Sequence, residues 1–119
     1  NNLNGEPFNF GPDSSQDITV KVLLQSLAEI WGWEKGDNAI KINQSKATFK
    51  EAGLLKLNCN KAKNHIQWEP NLNFDETLHY ISDWYKKYFS GSQKMYDFTL
   101  EQINEYEKLG VERKRGWIK

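Results

Sequence analysis

Cys59, His65 and His79 are the side chains best suited to ligate a metal or act as a nucleophile. Zinc sites place thiolates and imidazoles at short, repeated spacings. The spacing here matches none of those patterns, and Cys59 is the single cysteine, so no intrachain disulfide can form. His79 falls about 100° around its helix from Leu78, which turns it toward solvent. Cys59 reads as a small core residue. No two glycines are separated by one residue, so the phosphate-cradling turn of dinucleotide sites is missing. Gly32 and Gly36 flank a charged turn and read as structural. No Tyr is followed by Lys four positions later, which removes a common proton-abstracting pair. Asp75, Glu76, Asp83, Lys86 and Lys87 share the outward face of a helix and read as a solvated face.

The elements that must carry these residues follow from periodicity. Phe8 and Phe10 alternate in PFNFG (7–11), which predicts a short strand. DSSQD (13–17) supplies capping residues for a helix over about 18–31, with Val20, Leu23, Leu24, Leu27, Ile30 and Trp31 on one face. Gly32 stops it. AIKI (39–42) and LLKLN (54–58) read as extended, with a polar loop between them. Asn60 caps a short helix to Ile66, ended before Pro70. Asn73 with Glu76 forms a cap for a long helix whose stripe is Phe74, Leu78, Ile81, Tyr85 and Tyr88, with Trp84 flanking. Gly91 ends that helix. Thr99 with Gln102 reads as a further cap, opening a helix to about Leu109. The expected class is mixed α/β, helix-rich with a few short strands.

Composition narrows the function. Apolar residues are 38% of the chain but aromatics reach 13%, enough to bury a core and to argue against disorder. Sixteen basic residues balance sixteen acidic ones. That lacks the basic excess by which nucleic-acid binders neutralise phosphates, so no nucleic-acid partner is expected. The basic cluster Arg113, Lys114, Arg115 and Lys119 reads as a solvated tail over 110–119, with a phosphate or surface contact as the alternative. No apolar run approaches the ~20 residues of a membrane span, and no signal peptide is present, so no membrane partner and a cytoplasmic setting are expected. The chain starts at Asn1 without Met, which fits a piece of a longer protein.

One stretch carries more. The run LKLNCNKAK, then IQWEP, then FDETL resembles the C-terminal region of the extended short-chain dehydrogenases, the nucleotide-sugar epimerases and dehydratases. Within that family GEPFNFGP, KEAGLLKL and SGSQKMYDFTLEQINEYEKL are similar to the CDP-glucose 4,6-dehydratase branch. The resemblance covers residues 5–109. It departs from the pattern at Asn58 and Asn60, where the family has Asp and Ser. Gln67 stands for Gly, at about 1 kcal/mol if the position stays left-handed. Lys50 stands for His.

The resemblance implies a two-part enzyme. An N-terminal Rossmann-like half holds NAD and the catalytic groups, and a smaller C-terminal part, here 1–109, closes over the nucleotide-sugar. The family oxidises the hexose at C4, eliminates water across C5 and C6 and returns the hydride to C6, in a route to deoxysugars of surface polysaccharide. This chain is then expected to bind no NAD alone, to be inactive alone, and to self-associate through the surface the missing half would cover. Glu51 is the first substrate-binding candidate, since an ionised carboxylate accepts hydrogen bonds from a ribose diol. Lys50 is placed to meet the diphosphate, and Asn9 and Phe10, with Phe8, to lie near the base. Core packing is the competing role for the two Phe, and an exposed loop position for Glu51 and Lys50. A different epimerase or dehydratase, or a non-catalytic nucleotide-binding or interaction module, are the other readings.

Overall fold

The structure, a computed structural model, describes residues 3–13, 18–33, 40, 57–91 and 93–118. Within them the chain forms four helices: α1 (Val20–Ile30), α2 (Asn60–Ile66), α3 (Phe74–Phe89) and α4 (Met95–Glu112). No strand occurs among the described residues. The segment 7–11 is extended but pairs with no ladder, which corrects the strand expected there. Its contacts run through side chains instead. Asn9 donates its amide N–H to the Asn58 carbonyl at 3.4 Å, and Phe10 sets its ring edge-on to Trp68 at 5.0 Å. The strand at 39–42 and most of that at 54–58 lie outside the described residues.

Each helix starts and stops for a local reason. Thr19, beyond the expected DSSQD, caps α1 by accepting from the Val22 N–H at 3.3 Å. Asn58, not Asn60, serves the start of α2: its Oδ1 accepts from the Asn60 N–H at 2.9 Å, and Asn60 is the first helical residue. Gln67 ends α2 at φ 56°, ψ 27°, the left-handed conformation that Gly would take more cheaply. Asn73 and Glu76 form the reciprocal cap of α3 read from the sequence, at 2.9 and 2.8 Å. Gly91, at φ 77°, follows its last turn.

α4 departs most from expectation. It begins four residues before Thr99 and runs beyond Leu109. Thr99 and Gln102 are interior residues whose side chains hold α4 to α3. Thr99 Oγ1 accepts from the Trp84 indole at 3.0 Å, and Gln102 donates to the Tyr80 carbonyl at 2.9 Å. Spacing alone cannot separate a cap from two polar residues on a packed face, because both use the i, i+3 geometry.

Among the described residues Ala28, Ala62 and Leu78 are the buried apolar side chains, joined by the polar Asn71 and Ser82. Leu78 and Ser82 are the buried positions of α3, whereas Ile81, Tyr85 and Tyr88 of its expected stripe stay exposed. α1 likewise leaves Val20, Leu23 and Leu24 open. It meets α3 through Lys86, whose ammonium donates to the Ile30 carbonyl at 2.8 Å, and through Trp31 edge-on to Phe89 at 6.1 Å. An aromatic group of Trp33, Tyr85, Tyr88 and Phe89 stands exposed around that junction. No described helix is long and apolar enough to cross a membrane.

Candidate functional site

A cleft of about 540 Å³ lies where the N-terminal segment, the start of α2 and the α2–α3 loop converge. Residues 11–13, 57–60 and 68–73 form its walls, with Lys63 beside them. The extended stretch 7–11 reaches it because the Glu6–Lys61 pair (2.7 Å) anchors it to α2, and Lys61 also lies 5.1 Å over the Phe8 ring. Gly11 sits within ordinary contact distance of Leu57 and Cys59, so the backbone passes close to the opposite wall.

The C-terminal residues close the remaining side. Arg113 and Arg115 both line the cleft. Arg113 makes a paired contact with Glu76, at 2.6 and 3.0 Å, and also donates to the Asn71 carbonyl. Arg115 donates to Glu69 at 3.1 Å, and Lys63 meets the same carboxylate at 2.8 Å. Trp117 donates its indole N–H to the Glu69 carbonyl at 3.0 Å and leans on Tyr106 at 5.8 Å. Arg113 and Arg115 of the basic cluster are therefore folded back onto the α2–α3 loop and the start of α3, whereas Lys114 is exposed and Lys119 lies outside the described residues. That corrects the solvated tail, and it takes Glu76 off the solvated face of α3. The reason is geometric: α4 is long enough to return its C-terminus beside the start of α3, where two carboxylates await.

These pairs set the protonation states. Hydrogen bonds from Arg113 and from the Asn73 backbone hold the Glu76 carboxyl down at about 2. Lys63 first, then Arg115, lowers Glu69. A carboxyl held that low stays ionised at neutral pH and has no proton to give, so Glu76 is not a general acid. No described group of three or more His, Cys, Asp and Glu could hold a metal. His79 is exposed and donates its Nδ1–H to the Asp75 carbonyl one turn back, at 2.7 Å. Cys59 is a half-buried free thiol. Three cations, Lys63, Arg113 and Arg115, and two carboxylates, Asp13 and Glu69, line the cleft.

The residues expected to touch substrate are distributed unevenly. Asn9 and Phe10 precede Gly11 without lining the cleft themselves; Asn9 engages Asn58 and Phe10 engages Trp68, both of which do. Glu51 and Lys50 lie outside the described residues. Arg113, Arg115 and Glu69 were not singled out for the cleft from spacing; their one signal is three basic residues directly after a helix that could double back.

The chain is similar to the CDP-glucose 4,6-dehydratase of Salmonella typhimurium, with 31% identity over 101 residues. That match takes in 85% of this chain and 27% of the relative, so the chain spans about a quarter of that relative's length. The resemblance read from LKLNCNKAK, IQWEP and FDETL stands on this independent footing. No protein-family model matches the chain, and no solved structure does.

Proposed function

We propose that this chain is the C-terminal, substrate-side portion of a nucleotide-sugar dehydratase acting on CDP-glucose. The observation that carries the reading is the pairing of the two coverages: most of this chain matches, and it matches about a quarter of the relative. The open apolar faces of α1 and α3 support it. Helix faces of that kind are normally covered, and a Rossmann-like half of the intact enzyme is the cover the reading supplies.

The intact enzyme would convert the hexose to a 4-keto-6-deoxy sugar with loss of water, and NAD held outside this chain would supply the hydride chemistry. The residues of this chain do not fit NAD. No Gly-x-Gly turn and no Tyr with Lys four positions on are present. The redox step belongs to the other half, and this chain's part is to bind and orient. In this reading Glu51 accepts from the ribose hydroxyls, Lys50 faces the diphosphate, and Asn9 and Phe10 engage the cleft residues Asn58 and Trp68. The setting is the cytoplasm.

A self-contained binding module is the second reading, favoured by the cleft that this chain forms from its own residues. Titration calorimetry of the chain with CDP, UDP and dTDP separates the two. The dehydratase reading expects no measurable heat from the chain alone, and turnover of CDP-glucose only when the chain is joined to a Rossmann half. Micromolar, base-selective binding to the isolated chain would favour the module. Failure of any such chimera to bind CDP-glucose would remove the dehydratase reading.

A further inference from the structure

Two described non-glycine residues have positive φ: Gln67 at 56° and Lys114 at 54°. One turns the chain and the other meets it two residues later, at Gly116. Lys114 is the left-handed residue at the C-terminus of α4, where the Lys114 N–H reaches the Val111 carbonyl at 3.0 Å and the Arg115 N–H reaches the Gly110 carbonyl at 2.9 Å. That turn sends the chain back across the protein. Gln67 is where it lands. A Cβ added at Gly116 would sit 3.0 Å from Gln67 Oε1 and 3.1 Å from Gln67 Cβ. A side chain at 116 would crowd Gln67, which would have to give by a few tenths of an ångström.

We propose that residues 115–118 form a strap that is the movable wall of the cleft, hinged at Lys114 and seated on Gln67. The anchors have the character of a latch. Arg115, its side chain 25% exposed, makes a charge-assisted hydrogen bond with Glu69, and Trp117 adds one neutral bond. Trp117 leans on Tyr106, and Ile118 lies against Gly110. Segments with few apolar contacts open at lower free energy than the packed helices beneath them. Backbone conformations that resist the side chain persist where surrounding contacts impose them, and here both such residues belong to the strap's hinge and seat. Since Arg115 lines the cleft, opening the strap removes that part of the wall, and a molecule held by Arg115 would favour the closed form.

This inference stands whether or not the nucleotide-sugar reading does, and its test needs no ligand. Hydrogen exchange is followed by mass spectrometry on the full chain over 115–118, over the facing loop 68–73 and over the centre of α3. Arg115→Gln is expected to speed exchange about tenfold in the strap and loop, leaving the centre of α3 unchanged. Gly116→Ala, which keeps every ion pair, is expected to act in the same places. Adding Gln67→Gly to it removes the obstructing side chain and is expected to restore the original rates to within about twofold. Equal acceleration through α3 and α4, in the variant that remains folded, would overturn the strap by making these contacts part of the global fold. A Gly116→Ala protein with unchanged rates, or one that Gln67→Gly does not rescue, would overturn the seat on Gln67.

Discussion

Arg113, the residue that closes α4, grips both carboxylate oxygens of Glu76 in the first turn of α3, at 2.6 and 3.0 Å. The same Glu76 returns to the Asn73 N–H at 2.8 Å, so one side chain completes a local cap and a contact between helices distant in sequence. The negative charge also lies at the positive end of the α3 dipole.

That pairing makes stability depend on acid. The Glu76 carboxyl has a folded value of about 2, below its ordinary 4.5. A depressed carboxyl contributes stability that is present above the unfolded value and lost as pH falls through the folded one. The window is therefore from about 4.5 down to about 2. Allowing for a site that is still partly solvated, the loss should be about 1–2 kcal/mol. Glu76→Gln keeps the cap, because Gln also reaches the N-cap N–H, but removes the charge. Urea unfolding at a series of pH values should show that extra loss in the native chain and not in the variant. Parallel curves would show the ion pair to be energetically silent.

The start of α3 rests on Asn73. Asn73→Ala removes the acceptor for the Glu76 N–H and should cost about 1 kcal/mol, while Asn73→Ser should cost a few tenths. Denaturation midpoints read by circular dichroism report the difference. Equal midpoints for the two variants would mean that α3 does not depend on its cap.

Thr99 ties α4 to α3 through the Trp84 indole. Thr99→Val keeps the shape but leaves that N–H without its acceptor in a part-buried site, at about 1–2 kcal/mol. Thr99→Ser retains the hydroxyl and should recover most of this. Thermal melts followed by tryptophan fluorescence test it, and a Val variant as stable as the Ser one would argue against the bond.

The open faces predict association. Phe89 is 68% exposed and Tyr88 is 53% exposed, next to Trp31 and Trp33. Sedimentation of the chain at rising concentration should show self-association, reduced by Phe89→Glu with Tyr88→Lys. A strict monomer at high concentration would count against a face that needs cover.

Much of the local structure was legible without coordinates. The 3.6-residue spacing of Leu27, Ile30 and Trp31, or of Phe74 and Leu78, announces helices because a helix must turn one side inward. The Asn73–Glu76 cap and the stop at Gly91 are encoded within a few residues, and the left-handed turn at Gln67 follows from a glycine position in a resembling family. Ile81, Tyr85 and Tyr88 show the limit. Their spacing marks an apolar face and is silent on whether this chain covers it.

What the sequence by itself determined is that these helices form, where α3 begins and ends, and the resemblance to nucleotide-sugar dehydratases, since those signals act over one or two turns of chain or lie in the residue order itself. The tertiary structure alone decided that Arg113, Arg115 and Trp117 return to Asn71, Glu69 and Glu76, that Thr99 and Gln102 bridge helices rather than cap one, and that 7–11 packs through side chains. Partners forty residues apart are chosen by helix length and direction in space. A list of charges along the chain carries no such distances.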